Sequence, residues 1–562
     1  MKNSTGTRYV VLKINLAFIV FSICAFVFIL IHPSSFNAPL RCSHRYCHLP
    51  KSMAVVGGEK LRIMKDLIPA MILDGVRKDT RIGLVNMGSG WSSNNATTPI
   101  NIRFDHVSRD FEWKDIFPEW IDEEEEMEGG PTCPEFPMPD YRQYDQQMDV
   151  VVASVPCRYP ETGWARDVFR LQVHLVAAEM AVRKGRRDGN GRVKVAIRSP
   201  CQPMIEIFRC DDLVRRESDW WLYEAEAVRL EAKLALPVGS CNLALPLWEE
   251  GTIDSRFNDS KLNSPVNPKP REAYATVIHS SDNYICGAIS LAQSIIRSGT
   301  NRDMILLHDD SISPEKLNAL VAAGWKLHRI KRIRNPHAEK GSYNEYNYSK
   351  IRLWQLTFYS KILFIDSDVI VLKNLDLLFH FPQLSATGND GVIFNSGVML
   401  IEPSNCTFRQ LLNRRDEIIS YNGGDQGFLN EVFVWWHRFP RRVNFLKNFW
   451  ANTTLETATK NYLFAADPPE LFSIHFLGIK PWHCYRDYDC NWNIENQRIY
   501  ASDAAHRRWW SLYDQMDDGL KSFCRLTQRR KVELEWDRKL AAKAGFIDEH
   551  WNLNISDHRR FE

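Results

Sequence analysis

Two aspartates separated by one residue, Asp366 and Asp368, end an apolar run in the middle of the chain. The preceding residues 362–365 are typical of a buried central strand. Strand side chains alternate between faces, so both carboxylates point the same way from the strand's end. Two adjacent carboxylates repel each other, and Mg²⁺ or Mn²⁺ relieves that repulsion while also binding substrate phosphates. The spacing predicts a metal–diphosphate site at the C-terminal edge of an α/β sheet. A solvated turn is the competing interpretation of so short a motif.

Two glycine-containing segments downstream carry groups that suit a bound sugar. Residues 395–397, Asn-Ser-Gly, precede an apolar run, and small residues there let the backbone approach a ligand closely. Residues 422–427 form a glycine-rich turn that opens a predicted helix, where Asp425 and Gln426 offer a carboxylate and an amide for sugar hydroxyls. Taken singly, both segments are more often ordinary turns, and it is their occurrence in one α/β unit that favours a site.

Three basic residues complete the predicted site. His475 and Lys480 stand five positions apart, and an imidazole is a common nitrogen ligand of metals such as Mn²⁺. A lysine supplies a point charge for a diphosphate leaving group. Lys350 lies on the predicted helix that leads into the aspartate strand. A histidine in an apolar strand is also a common core residue, so these assignments depend on one another.

Alternating strand and helix patterns surround these residues and must position them. Strands are predicted at 273–279 and 303–308, and helices at 286–297, from Ser313 onward, and at 348–359. The alternation implies a largely parallel sheet covered on both faces.

An earlier region has its own alternation and precedes a proline-rich linker at 263–270. Strands are predicted at 149–153 and 193–197 with a helix at 164–183 between them, which is a βαβ pattern. After residue 501 the chain is amphipathic and predicts helices packed on the body.

The first residues predict a membrane anchor. Residues 14–31 are apolar with few exceptions, and Lys2, Arg8 and Lys13 precede them. The positive-inside rule then places the N-terminus in the cytosol and the rest of the chain in a lumen. A cleaved signal peptide is the alternative, but no clean cleavage site follows the long apolar run. So short a span suits the thin membranes of the early secretory pathway.

Composition is compatible with a lumenal enzyme and excludes other classes. The net charge is +2, so no overall field favours nucleic acid, and neither a zinc-type Cys-His array nor a phosphate-binding loop occurs. The 13 cysteines predict disulfides in an oxidising compartment, with Cys42/Cys47 and Cys484/Cys490 as the local candidates. Glycosylation sequons occur at Asn95, Asn258, Asn347, Asn405, Asn452 and Asn554.

With these motifs in view, residues 271–490 resemble the glycogenin-like glycosyltransferases of family 8. The resemblance implies a GT-A fold with a Rossmann-like, mostly parallel nucleotide-binding sheet, and a nucleotide-sugar donor used with retention and Mn²⁺. It implies Asp366, Asp368 and His475 as metal ligands, and Asp425 and Gln426 as catalytic residues. The residues it implies for donor binding are Ile278, Tyr284, Lys350, Asp366, Ser367, Asp368, Asn395, Ser396, Gly397, Asn422, Gly423, Gly424, Asp425, Gln426, His475, Gly478 and Lys480. Asn422 replaces an aspartate of glycogenin, which leaves a carboxylate role at that position open.

The whole chain is similar to the plant Golgi enzymes that place glucuronic acid on xylan. Segments 163–172, 205–213 and 237–246 of the earlier region carry that resemblance. It implies UDP-glucuronate as donor, xylan as acceptor, and a single-pass type II protein of the Golgi membrane. A related Golgi transferase using UDP-galactose or UDP-glucose, or a non-catalytic scaffold of the same fold, is the alternative. Arg352, Arg441 and Arg442 are candidate partners of the glucuronate carboxylate, although ordinary surface roles are the stronger interpretation of each.

These expectations divide the chain into six parts. They are a cytosolic tail at 1–13, a signal-anchor at 14–31, a stem at 32–54, an N-terminal lumenal α/β region at 55–262, a GT-A domain at 271–490 and a C-terminal helical segment at 491–562.

Overall fold

The computed structural model describes residues 69, 72, 79–88, 97–116, 136–157, 164–235, 271–390, 392–451 and 453–561. These residues all belong to one compact unit, Lys65–Glu562. The predicted tail, membrane span, stem, Cys42/Cys47 pair and linker lie outside the described residues. Within those ranges, no helix is both long and apolar enough to cross a membrane.

A six-stranded sheet forms the first α/β region, in the order β2-β1-β3-β4-β6-β5. The first four strands in that order are parallel, and β6 and β5 are antiparallel additions. Asp167 caps helix α2 through its side chain, and the helix ends at Gly185 as predicted. The predicted strand–helix–strand unit is confirmed. The elements of this region are β1 Thr80–Val85, β2 Thr97–Ile102, α1 Trp113–Ile116, β3 Val150–Ser154, α2 Val168–Lys184, β4 Arg192–Arg198, β5 Leu213–Glu217, β6 Trp220–Glu226 and α3 Ala227–Leu234.

A mixed seven-stranded sheet forms the second α/β region, in the order β14-β12-β13-β10-β7-β8-β9. Strands β10, β7, β8 and β9 are parallel neighbours, and β13 runs antiparallel to β10 and β12. The α/β class and the largely parallel sheet are therefore confirmed. Its strands are β7 Glu272–Ile278, β8 Asp303–His308, β9 Lys326–Arg329, β10 Lys361–Ile365, β12 Ser385–Asp390, β13 Ile393–Ile401 and β14 His437–Phe439, while β11 Val369–Val371, β15 Phe445–Leu446 and β16 Ser473–His475 form a small separate sheet.

Helices follow the strands as the alternation predicts, and the chain ends in a helical segment. The α-helices are α4 Ile285–Arg297, α5 Pro314–Ala322, α6 Asn405–Arg414, α7 Asp425–Val432, α8 Thr454–Ala465, α9 Asp503–Asp514, α10 Asp518–Lys521 and α11 Gln528–Ala544. The 3-10 helices are Tyr141–Gln143, Trp164–Arg166, Cys210–Asp212, Asn347–Gln355, Asp376–His380, Arg441–Asn444, Pro481–His483, Cys490–Asn493, Glu495–Tyr500, Ser522–Cys524, His550–Asn552 and His558–Arg560.

Strand β10 is buried on both faces, which explains its continuous apolar run. Ile362 and Phe364 join a core cluster that also contains residues of the first region, and Leu363 and Ile365 join a second cluster on the opposite face. Each such fully buried side chain contributes about 1.5–3 kcal/mol relative to exposure. Strand β10, which ends just before Asp366, is thus packed firmly on both faces.

Two predictions about local structure are wrong in detail. The segment predicted as a helix at 348–359 is a 3-10 helix over Asn347–Gln355. Its buried Tyr348, Ile351 and Trp354 recur every three residues, which matches three residues per turn. Residues 395–397 lie inside β13 and not at its start, because the strand already begins at Ile393.

Four disulfides cross-link the described residues. Cys484–Cys490 is confirmed. Cys210–Cys406 joins the first region to the second, and Cys286–Cys524 joins α4 to the C-terminal segment. Cys157–Cys201 lies within the first region. Each cysteine that the structure describes is paired.

Candidate active site

A cavity of about 480 Å³ opens where β7 and β10 end. Its volume falls within the range of about 300–1,000 Å³ that is typical of ligand pockets. The strand ends supply Val277, Ile278 and Phe364 to its wall. The predicted site residues that line it are Ile278, Tyr284, Lys350, Asp366, Ser367, Asp368 and Asp425.

Asp366 and Asp368 occupy the turn between two strands of different sheets. β10 ends at Ile365 and β11 begins at Val369, where it pairs antiparallel with β16 so that Val369 faces His475. This register brings His475 Nε2 to 3.4 Å from Asp368 Oδ1. One ligand atom from each of Asp366, Asp368 and His475 lies within 4.8 Å of the others.

The donor set of this cluster fits a divalent metal ion. Two carboxylate oxygens and one imidazole nitrogen suit Mn²⁺ or Mg²⁺ better than thiolate-seeking metals. Asp366 and Asp368 also line the cavity, which has room for further ligands from a substrate. The predicted metal ligands are thus brought together by the fold.

Two lysines flank the aspartates. Lys480 Nζ lies 2.7 Å from Asp368 Oδ2, and Lys350 Nζ lies 3.3 Å from Asp366 Oδ1 and 2.6 Å from Asp425 Oδ2. Burial alone would lower the pKa of Lys350, but the carboxylates of Asp366 and Asp425 raise it above its usual range. Lys350 therefore stays charged beside the cavity.

The two aspartates have oppositely shifted pKa values. Partial burial raises the pKa of Asp366, against the charge of Lys350 and with that of Asp368. Burial would also raise the pKa of Asp368, but the Lys480 ammonium and His475 lower it below its usual range. Asp368 is consequently the more strongly anionic of the pair.

A buried asparagine, Asn444, fixes the orientation of His475. Asn444 Nδ2 donates to Asn395 Oδ1 at 2.9 Å, so its Oδ1 is the atom that accepts from His475 Nδ1 at 3.1 Å. That hydrogen bond places the proton on Nδ1 and leaves the Nε2 lone pair free to bind metal. A Cβ on Gly397 would lie 2.5 Å from His475 Cε1, so only glycine leaves room for the ring.

Helix α7 carries Asp425 and Gln426 into the site. Ser396 Oγ donates to Asp425 Oδ2 at 3.0 Å, and Ser396 N donates to Gln426 Oε1 at 3.2 Å. Gln426 Nε2 in turn donates to the hydroxyl of Tyr421 at 2.6 Å. Asp425 lines the cavity, whereas the Gln426 amide is held by these two contacts.

The glycine-rich turn before α7 is shaped by the side-chain contacts of Asn422 and by the backbone conformation of Gly423. Asn422 Oδ1 accepts from Gly424 N at 3.0 Å and from Gly427 N at 3.2 Å, so the Asn422 side chain satisfies an amide in the first turn of α7. Gly423 adopts φ = 67°, a left-handed conformation that favours glycine. Gly478, in the loop between His475 and Lys480, has φ = 73° for the same reason.

Two family models match the chain. The "GUX1-5 N-terminal domain" matches residues 61–241, and "Glycosyl transferase family 8" matches residues 275–385. Among curated proteins, UDP-glucuronate:xylan alpha-glucuronosyltransferase 2 of Arabidopsis thaliana is 55% identical, over 99% of this chain and 97% of that protein. UDP-glucuronate:xylan alpha-glucuronosyltransferase 1 of the same plant is 47% identical, over 87% and 73% respectively.

This chain belongs to glycosyltransferase family 8, in the group of the plant xylan glucuronosyltransferases. Among solved structures, the glycosyltransferase GlyE of Streptococcus pneumoniae TIGR4 is 21% identical, covering 46% of this chain and 62% of that one at a TM-score of 0.32. The family resemblance predicted from the sequence is confirmed, and the chain is a glycosyltransferase.

The three arginines suggested as partners of the glucuronate carboxylate do not line the described wall of the cavity of this family 8 site. Arg352 donates to the carbonyl of Lys331 and to Gln355, and Arg442 pairs with Glu470 at 3.2 Å. Arg441 is 8% exposed, so a surface role is wrong for it.

Sequence reasoning missed several residues of this family 8 site. Asn444 gave no signal, because its role depends on a hydrogen bond to a residue 31 positions away. Arg332 lines the cavity and pairs with Asp309 at 3.0 Å, and its place just after β9 at the ligand edge of the sheet was a usable signal. Further lining residues were His279, Ser280, Ser281, Asn283, Tyr343, Tyr346 and Asn347.

Proposed function

We propose that this glycosyltransferase transfers glucuronate from UDP-glucuronate to xylan with retention, giving an α-linkage. The observation that carries the proposal is the similarity over nearly the full length to a xylan alpha-glucuronosyltransferase, combined with an Asp366–Asp368–His475 cluster whose two aspartates line a cavity of about 480 Å³. Ile278 and Tyr284 line the cavity, and we assign the uracil of the donor to their neighbourhood.

We propose Mn²⁺ as the metal held by Asp366, Asp368 and His475. When bound, such a cation stabilises negative charge on the departing diphosphate. Lys480, which pairs with Asp368, supplies a second positive charge next to the leaving group. Lys350 holds the carboxylates of Asp366 and Asp425 in fixed positions from the opposite side.

We assign the anomeric carbon to the neighbourhood of Asp425. Its carboxylate lines the cavity, pairs with Lys350 and accepts from Ser396, so it is placed to stabilise an oxocarbenium-like carbon or attack it. The amide of Gln426 is occupied by Ser396 and Tyr421, so we do not assign Gln426 as the nucleophile. Attack by the acceptor on the same face and double displacement through Asp425 are both compatible with this arrangement.

Replacing the aspartates tests the metal assignment. We expect Asp366→Asn and Asp368→Asn each to lower glucuronate transfer by about 10²-fold or more, because charge stabilisation of the leaving group is lost. Isothermal titration of UDP with and without Mn²⁺ should show that the metal-dependent part of UDP binding is lost as well. Asp310→Asn is the matched control, since Asp310 is an exposed carboxylate paired with Arg329 and is absent from the cavity wall. Unchanged transfer in both site variants would contradict the assignment.

A donor comparison tests the proposed substrate. The purified protein is given xylohexaose with UDP-glucuronate, UDP-galactose or UDP-glucose, and products are identified by mass spectrometry and α-glucuronidase digestion. We expect transfer from UDP-glucuronate alone, with a product that α-glucuronidase cleaves. Preferential transfer of galactose or glucose would replace the donor, and no transfer despite Mn²⁺-dependent UDP binding would favour a non-catalytic role.

We further propose that the protein is a single-pass type II protein of the Golgi membrane. The support is the apolar stretch 14–31 with basic residues before it, and the oxidised cysteines of the described regions. Carbonate extraction and protease protection of Golgi vesicles check this. We expect the protein to stay in the membrane fraction and to be protected, and release by carbonate would contradict the anchor.

A further inference from the structure

The far end of the catalytic helix α7 is held by the first α/β region. Arg166 lies in the 3-10 turn before α2. Its Nη1 donates to Glu431 Oε2 at 3.1 Å, and its Nη2 donates to Glu431 Oε1 at 3.2 Å. The same guanidinium donates to the carbonyl of Asn430 at 3.2 Å. This fork-like geometry fixes orientation as well as distance. Arg166 and Glu431 are 265 residues apart in sequence.

A second contact from the first region lies just beyond the same helix end. The carboxylate of Glu206, which is 3% exposed, accepts from Val434 N at 2.8 Å and from Trp435 N at 3.2 Å. These amides follow α7 directly. Arg166 and Glu206 therefore bracket the end of the helix whose beginning carries Asp425.

Asn430 connects this end of α7 to strand β13, which carries Asn395 and Ser396. Its side chain donates to the carbonyl of Phe394 at 3.0 Å and accepts from Phe394 N at 2.9 Å, and it also donates to the carbonyl of Gln426 at 2.9 Å. Phe394 directly precedes Asn395 and Ser396 in β13. A shift of the helix end is thus transmitted to both elements that form the site.

We propose that the first region aligns the active site through α7, with Arg166 and Glu206 as positioning residues for Asp425. This inference rests on the proposed role of Asp425. It also gives a use to segments 163–172 and 205–213, which mark the xylan glucuronosyltransferase group and contain these two residues.

The Arg166 contact is not needed to join the two regions. Cys210–Cys406, the Arg209 contact with the Pro403 carbonyl at 2.7 Å and the Lys233 contact with the Gln383 carbonyl at 2.9 Å do that separately. The side chains of Arg166 and Glu431 are 32% and 39% exposed, and ion pairs of that exposure contribute little to global stability. Loss of the pair should therefore change placement of α7 and not docking.

The test compares Arg166→Ala with Arg183→Ala, which removes another partly exposed ion pair of the first region that does not touch α7. For Arg166→Ala we expect kcat for glucuronate transfer to fall about tenfold, because small displacements of reacting groups are costly. KM for UDP-glucuronate should change by less than about twofold, since the nucleotide contacts lie elsewhere. Arg183→Ala should match the wild type, and both variants should melt at the wild-type temperature.

Two further measurements separate positioning from a merely structural role. Hydrogen exchange of the α7 amides, residues 425–433, should accelerate in Arg166→Ala and not in Arg183→Ala, a readout that needs no activity. The exchanged pair Arg166→Glu with Glu431→Arg should recover most of the lost kcat. Equal kcat and equal α7 exchange in the two alanine variants would overturn the inference, as would a lower melting temperature with no recovery in the exchanged pair. A wild-type protein that does not use UDP-glucuronate would instead overturn the proposed function, leaving the exchange result to decide this inference.

Discussion

Single residues in the site have roles that follow from what touches them. The Nε2 of His475 is free to bind a metal ion only in one tautomer and one ring orientation, and Asn444 and Gly397 favour both. Asn422 occupies the position where glycogenin carries an aspartate, and here its amide oxygen accepts from the backbone amides of Gly424 and Gly427. These two contacts need an acceptor oxygen and not a carboxylate.

Gly397→Ala tests how closely the strand must approach His475. The added Cβ would lie 2.5 Å from His475 Cε1 and 2.8 Å from Nδ1, so the imidazole must move away from Asp368. We expect affinity for Mn²⁺ in the presence of UDP to fall about 10–100-fold, as when outer contacts of a metal ligand are lost. Titration calorimetry measures it. Gly388→Ala, whose Cβ would lie 3.5 Å from Arg438, is the control, and equal metal affinity in both variants would contradict the steric argument.

Elements place these residues by where strands end and change sheets. The turn from β10 to β11 carries the aspartates beyond the seven-stranded sheet, and the β11–β16 pairing places His475 beside them.

The C-terminal segment is held together by contacts of His550. The ring of His550 contacts Asp503 Oδ2 and Asp548 Oδ1, each at 2.8 Å, and stacks on Trp492. Asp548 is also paired with Arg498.

The His550 contacts predict a pH dependence for this segment. Burial alone would lower the pKa of His550, but the carboxylates of Asp503 and Asp548 raise it above its ordinary value of 6.5. A raised folded-state pKa gives stability that is fully present below pH 6.5 and is lost as pH rises through the folded-state value. We expect the difference in unfolding free energy between wild type and His550→Gln, from urea titrations, to shrink between pH 6 and pH 8.5. A difference that stays constant or grows with pH would refute the assignment.

At the largest scale, the described residues of the unit Lys65–Glu562 are built around two large sheets and one small one. A single hydrophobic cluster extends from α2 and β3 of the first region to β7 and β10 of the second, and buried charges of both regions meet around Glu402. The pKa of Glu402 falls to about 2, because burial is outweighed by Arg229 and Lys233. The Cys210–Cys406 bond then adds a covalent link across the same boundary.

Removal of two disulfides separates a long-range link from a local one. The residues of Cys210–Cys406 are 196 positions apart, and those of Cys484–Cys490 are 6 apart. Loop-closure entropy predicts a loss of about 2–5 kcal/mol on removing a native disulfide, larger for the longer loop. We expect Cys210→Ser with Cys406→Ser to lower the unfolding free energy more than Cys484→Ser with Cys490→Ser, measured by urea titration. The reverse order would show that local packing dominates.

Much of the fold could be predicted because its signals are local. Strands β3, β7, β8 and β10 are mostly apolar runs, β4 alternates around Lys194 before an apolar stretch, and α2 and α4 have recognisable ends. The segment over Asn347–Gln355 could not be distinguished from an α-helix, since both place apolar residues three apart. The location of residues 395–397 was also predicted wrongly. They lie inside β13 and not before it, because the strand already begins at Ile393 and Phe394.

The amino-acid sequence was sufficient to predict the chemical groups of the site and the family. Asp366 and Asp368 follow a recognisable strand, and the types and order of the later motifs carried the resemblance. How these groups are held became visible in three dimensions: Asn444 contacts His475, Lys350 lies between Asp366 and Asp425, and Arg166 contacts the end of α7. The physical reason is that a hydrogen bond or ion pair depends on distance and direction in space. Partners 31 or 265 positions apart leave no periodic trace in the chain.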